Sequence, residues 1–221
     1  MNDAHDARIG RIAWAMAWVG LVVGQLHALA RFRTEEGRSD LDSGLVSAWA
    51  EPAGDLLAPL LEWASPDTVY LTYGKVWLPV FLAFTLCAFV VRRRRDPRRA
   101  ETWVWRVVLT AYLLACVSVA AEYWTQWGAM NDALLDTVFV ASIPVILVTM
   151  LGSSVLGVVL ARRGLGGPAV LLALTFPLVF VISAVTSLGN VALPIAFAFG
   201  ILGRRIATAD TPAGDRVTVP A

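Results

Sequence analysis

Six residues in this chain combine a side chain capable of chemistry with a position where such a side chain is costly: Gln25, His27, Lys75, Glu122, Asp136 and Asn190. Each sits within, or at the edge of, a stretch apolar enough for hydrocarbon. A charge there costs at least ~2.5–3.5 kcal/mol on insertion scales, so it is paired, hydrated or put to use. Counted at 1.5 Å per residue from the inner end of each stretch, His27 and Lys75 lie about 24 Å in and Glu122 about 28 Å in. Asp136 begins the next stretch on the same side. The depths predict one polar layer in the outer third of a bundle. Lys75 and Glu122 would form a charge pair, with His27 as proton acceptor and Gln25 and Asn190 as hydrogen-bonding neighbours. The same layer has a plainer reading as an interhelical ion pair, with Lys75 snorkelling outward.

The elements that must position these groups are membrane spans. The chain is 57% hydrophobic over 221 residues, with a mean hydropathy of +0.66. That exceeds the roughly 45–50% apolar composition of soluble domains. The expected architecture is all-α, a polytopic transmembrane helical bundle forming a single domain over 1–205. Six spans are expected, at about 12–30, 65–91, 103–127, 134–161, 169–186 and 190–203, the last one short. The stretch 169–203 is too long for one helix, and Ser187, Leu188, Gly189 and Asn190 supply turn chemistry within it. Residues 206–221 are polar and turn-rich and read as a disordered tail.

Orientation comes from charge. The run RRRRDPRR holds Arg92, Arg93, Arg94, Arg95, Arg98 and Arg99 between two apolar stretches. Short loops so rich in arginine stay cytoplasmic. With six spans, the inner side collects fourteen arginines against six acids and the outer side four basic residues against eleven acids, net +8 and −7. Both termini are then cytoplasmic, in a plasma membrane. Arginine usage in place of lysine, with abundant Ala, Val and Leu, points to a bacterial source. The run's expected role is topology, with attraction to anionic lipid heads.

The long outer loop, 32–64, is expected to carry two short surface helices. Ser39 and Asp42 have capping-box spacing, and Pro52 with Gly54 reads as the break between the helices. Ser65, Pro66 and Asp67 read as N-cap, N1 and N2 of the second span, which Pro79 should kink. In the first span Ala13, Ala17, Gly20, Gly24, His27 and Arg31 share one face. Gly20 and Gly24 form a GxxxG, expected to admit a neighbouring helix of this chain in preference to a second copy. Thr149, Ser153 and Gly157 make a second small-residue stripe. Cys87 and Cys116 read as packing residues, too far apart in depth for a disulfide.

No metal or cofactor is expected. One embedded histidine cannot supply both axial ligands of a haem, and no Cys/His cluster has zinc spacing. Phosphate-loop, GxSxG and HExxH motifs are absent from the sequence, and nothing resembles a nucleic-acid-binding domain. The leading functional expectation is a non-enzymatic accessory or interaction protein that binds a lipid or small amphiphile in an outer-leaflet cavity, with a membrane protein or a second copy as its candidate partner. A carrier using His27, Lys75 and Glu122 is the alternative, and a membrane enzyme with His27 and Glu122 as acid and base the third.

Overall fold

The computed structural model of the chain describes residues 3–97, 100–127, 131–186 and 188–209. Its regular structure is entirely helical among these residues: α1 (Asp3–Arg31), a 3-10 segment (Glu36–Asp42), α2 (Gly44–Leu56), α3 (Ala58–Leu61), α4 (Pro66–Gly74), α5 (Trp77–Arg95), α6 (Ala100–Val119) ending in a π turn (Ala120–Trp124), α7 (Asp132–Ala161), α8 (Gly167–Ala173), α9 (Thr175–Val185), a second 3-10 turn (Leu188–Ala192) and α10 (Leu193–Ala209). Five stretches are long and apolar enough to cross a membrane: Asp3–Arg31, Pro66–Arg95, Ala100–Trp124, Ala133–Ala161 and Gly189–Ala209. The bent pair α8–α9 makes a sixth if counted as one span.

The small-residue stripe of α1 decides the centre of the bundle. Residues without bulk let α10 approach closely, and this is the most extensive helix pairing in the protein. Gly10 extends the stripe by one turn and meets Gly203, so near that a Cβ on Gly10 would overlap the Gly203 carbonyl oxygen and lie 2.7 Å from its carbonyl carbon. Gly20 faces Val80 and Leu193, and Gly24 faces Trp77 and Asn190. The GxxxG therefore receives side chains of this chain. α5 and α6 complete the core, where Phe84, Trp105, Tyr112 and Phe199 are buried together. The two cysteines are free and buried within it, Cys87 donating to the Phe199 carbonyl at 3.2 Å.

α7 is the least enclosed of the five long stretches. Its contacts run along the second stripe: Tyr112 and Ser153 share a hydrogen bond of 2.8 Å, and Gly157 lies against the backbone of α8. Phe139, Val140, Leu147, Leu151 and Val155 are left exposed, as a lipid-facing surface requires.

Several boundaries differ from the sequence reading. The second span breaks at Lys75 and Val76, one turn before Pro79. A proline cannot donate to the carbonyl four residues back and its ring crowds that group. Here the group is Lys75 C=O, and Trp124 Nε1 donates to it at 3.2 Å. In the loop, Pro52 and Gly54 lie inside α2 and the break falls at Leu57. Pro52 is exposed on α2. Ser39 does not cap, since its hydroxyl donates to the Glu36 carbonyl at 3.3 Å. Ser65 does cap α4, accepting from Thr68 N at 3.4 Å, with Pro66 at the first helical position. The 3-10 turn Leu188–Ala192 lies between α9 and α10, Ser187 being outside the described residues, while a 66° bend at Leu174, just ahead of Pro177, divides the preceding segment. α10 runs to Ala209, so the first residues of the expected tail are helical; 210–221, Arg98 and Arg99 lie outside the described residues.

Candidate functional site

α1 carries His27 into the bundle because the face that holds Gly20 and Gly24 is the face that packs. His27 is 1% exposed. Its Nδ1 accepts from Trp77 Nε1 at 3.3 Å, which leaves the proton on Nε2, and Nε2 is buried with no partner. The ring stacks on Tyr70 with centroids 4.6 Å apart and meets Tyr123 edge-on at 5.3 Å. The two tyrosine hydroxyls are 3.3 Å apart. Tyr70, Trp77 and Phe81 recur at seven and four residues, so α4 and α5 present one face to the site despite the break between them.

The π turn at the end of α6 supplies the acid. Widening the helix at Ala120–Trp124 brings the consecutive residues Glu122 and Tyr123 to the same cavity. Glu122 is half-buried, close to the Tyr123 hydroxyl and within electrostatic range of Arg31. Arg31 closes α1, one turn beyond His27. Its Nε donates to Asp40 Oδ2 at 3.0 Å, tying the 3-10 segment of the loop over the site.

These side chains line a cavity of about 130 Å³. Arg31, Glu122, Tyr70, Tyr123 and His27 gather at the end nearer the long loop. Deeper in, Phe81, Ala115, Val145, Ile146 and Met150 form the wall, with Thr149 among them. Thr149 Oγ1 is buried and, like His27 Nε2, has no partner. A second crevice, about 450 Å³, shares Arg31 and Phe139 with the first and is lined also by Ser39, Asp40, Ser43 and Ser183. The two adjoin at Arg31 and Phe139.

The structure brings together two of the six candidates, His27 and Glu122, and sets a third beside them. Asn190 is 1% exposed and packs against Gly24, and neither atom of its amide has a partner. The other three are elsewhere. Lys75 points out of the bundle, its Nζ 3.1 Å above the centroid of the Trp127 ring, so it is not the partner of Glu122. Asp136 is exposed on α7, and Gln25 is half-buried on another face of α1. The sequence reading missed Arg31, Tyr70, Trp77 and Tyr123. Arg31 was the recoverable one, four residues beyond His27 on the same stripe.

The arginine run makes ion pairs of its own. Asp6, 5% exposed, is held by Arg93 and by Arg94, whose Nε lies 2.9 Å from Asp6 Oδ2, while Arg94 also reaches Asp3. Glu101, 4% exposed, accepts from Trp105 Nε1 at 3.3 Å and meets Arg163 at 2.6 Å. These pairs lock the start of α1 to the end of α5, and the start of α6 to the end of α7. Among the described residues no three His, Cys, Asp or Glu side chains converge as a metal site. Compared with known proteins, the chain matches no family model, no curated protein and no solved structure, so the site itself carries the functional reading.

Proposed function

We propose that the protein is a non-enzymatic membrane protein that binds an amphiphile, with the apolar segment in the cavity beside His27 and the polar head in the adjoining crevice at Arg31. The observation that carries this is the polarity gradient along the cavity, whose polar end shares Arg31 and Phe139 with the crevice. Charged and hydroxyl groups crowd the end near the loop, and Phe81, Ala115, Ile146 and Met150 line the deep end. From Glu122 to Ala115 is two helical turns, or about 10 Å. A space of about 130 Å³ suits a short alkyl or aromatic segment and is too small for a whole lipid. The head must therefore stay in the larger crevice, where Arg31 and several hydroxyls can meet it. The unpartnered buried His27 Nε2 and Thr149 Oγ1 suit a ligand with a hydrogen-bonding group below the head.

The arginine-rich end faces the cytoplasm on this reading, α8–α9 counts as the fifth of six spans in a plasma membrane, and the cavity opens in the outer leaflet. The cavity lining reaches the middle of the bundle, to Phe81, Thr149 and Met150, and none of it lies within two turns of the arginine-rich helix ends, which favours a binding protein over a carrier. A dansyl-labelled fatty acid titrated into the purified protein tests the reading. Ala115→Phe, which fills the deep end, should weaken binding at least tenfold, while Leu114→Phe on the exposed face of the same helix should not. Equal affinity for wild type and Ala115→Phe would overturn it. Accessibility of a cysteine placed at Arg38, with Cys87 and Cys116 replaced, tests the orientation.

A further inference from the structure

At the opposite end of the bundle from the cavity, the helix ends of α5, α7 and α10 enclose a crevice of about 400 Å³. Four arginines line it, Arg94, Arg95, Arg163 and Arg205, with no carboxylate among the lining residues. Its remaining wall is apolar, including Val91, Leu165, Leu202 and Ile206. We propose that this crevice is a binding site for the phosphate of an anionic phospholipid, with the glycerol and first acyl carbons against the apolar wall.

Part of the positive charge is already spoken for. Arg94 is engaged by Asp3 and Asp6, Arg163 by Glu101, and Arg205 Nη1 donates to the Leu165 carbonyl at 3.2 Å. Three of the surrounding helices also end here, and their carbonyls attract cations. Neither demand exhausts the donors, since a guanidinium carries five N–H groups in a fixed fork. Arg95 is the decisive member. It is the last residue of α5, and its Nε is buried with no hydrogen-bond partner. A buried donor of this kind, in a concavity walled by three further guanidiniums, is the arrangement that phosphate oxygens satisfy. A basic hollow between helix ends at the membrane surface is also where lipid phosphates lie. The apolar wall argues for a lipid phosphate over a soluble one. This inference stands on different residues from those of the outer cavity and survives if that reading fails.

The experiment is native mass spectrometry of the full chain released from nanodiscs of phosphatidylglycerol or of phosphatidylcholine. Wild type should retain one phosphatidylglycerol under conditions that strip phosphatidylcholine. Arg95→Gln should reduce retention at least fivefold, and Ile206→Trp, which fills the crevice and removes no charge, should do the same. Arg92→Gln removes a neighbouring charge outside the crevice and should have a smaller effect. Equal losses for Arg92→Gln and Arg95→Gln, or full retention in Ile206→Trp, would show diffuse surface attraction and overturn the proposal. A thermal-shift arm with inorganic phosphate separates the sources. Stabilisation by millimolar phosphate that Arg95→Gln abolishes, with no phosphatidylglycerol retained, would identify a soluble anion and also overturn it.

Discussion

Gly10→Ala is the sharpest perturbation of this bundle, because the added methyl meets backbone. A Cβ on Gly10 would lie 2.7 Å from the Gly203 carbonyl carbon, where carbon atoms prefer about 3.5 Å or more. No rotamer relieves this. α1 and α10 must part by about 1 Å, and a gap of 0.5–1 Å forfeits a quarter to a half of each atom-pair attraction. Across a few tens of pairs at ~0.1–0.2 kcal/mol each, the loss is about 1–3 kcal/mol, which matches the usual penalty of overpacking. Cys87 Sγ, 2.9 Å from a Cβ at Gly203, shows that α5 is pressed into the same contact and cannot absorb the shift. Gly20→Ala is the control on the same stripe. Its methyl would sit 3.1 Å from a Val80 methyl, a side chain able to yield a few tenths of an ångström, so the loss should stay below about 1 kcal/mol. Thermal unfolding in one detergent should put Gly10→Ala roughly 5 °C below wild type and Gly20→Ala within about 2 °C. A Gly10→Ala protein that melts with wild type, or a Gly20→Ala protein that falls as far, would refute the backbone contact.

Glu101 and Arg163 should couple: Arg163→Gln strands a carboxylate that is 4% exposed and should cost about 1–3 kcal/mol, discounted for the partial exposure of Arg163. Adding Glu101→Gln should recover much of it, and strictly additive melting shifts would dismiss the pair. Lys75→Met and Glu122→Gln, by contrast, should be additive within about 0.5 kcal/mol, since Lys75 rests on Trp127; a coupling above about 1 kcal/mol would put Lys75 back beside Glu122. Trp77→Phe should destabilise by about 1–3 kcal/mol, because His27 Nδ1 loses its donor in a buried place, and an unchanged melting temperature would contradict that hydrogen bond.

The contrast between Lys75 and Glu122 shows what the sequence could carry. Depth along a span follows from counting, and both residues are near the expected depth. Direction requires knowing which side of the helix packs. For α6 the face holding Ala111, Ala115 and Ser118 announces itself by small residues, and Glu122 lies on it. On the second span the cavity face is Tyr70, Trp77 and Phe81, and at 100° per residue Lys75 is turned about 140° from it. Large aromatics on that face looked no different from lipid-facing ones, so the depth count was mistaken for convergence. Asp136 fails in the same way, about 100° from the centre of the α7 face that lines the cavity. The approximate extents of the five long spans and the Ser65–Pro66 start of α4 were legible because they rest on composition and local capping. The break at Lys75 and Val76, the π turn at Glu122 and the bend at Leu174 were not, since each depends on a carbonyl finding a partner, or not, in another element.

Those three irregularities also explain why the space exists where it does. The half of the bundle made by α1, α5, α6 and α10 is closed by glycine contacts, buried aromatics and the Asp6 clamp, and leaves little room. α7 packs along α6, with Tyr112 and Ser153 hydrogen-bonded between them, and beyond Thr149 toward the loop it runs without a stripe of small residues to draw it in. At the same level α9 is turned away by the 66° bend and held to α2 by Trp49 Nε1 donating to the Val185 carbonyl at 2.8 Å. A gap must open between α7 and the closed half, and the break in the second span and the π turn in α6 fill its far wall with Tyr70, Tyr123 and Glu122. Arg31 then stands at the one place where the gap meets the loop, joined to Asp40 and facing both spaces. A ligand entering from the loop side must displace or share that ion pair. Asp40→Asn should therefore raise the association rate of a negatively charged amphiphile and leave a neutral one nearly unaffected, while equal rates for both would place the entrance elsewhere.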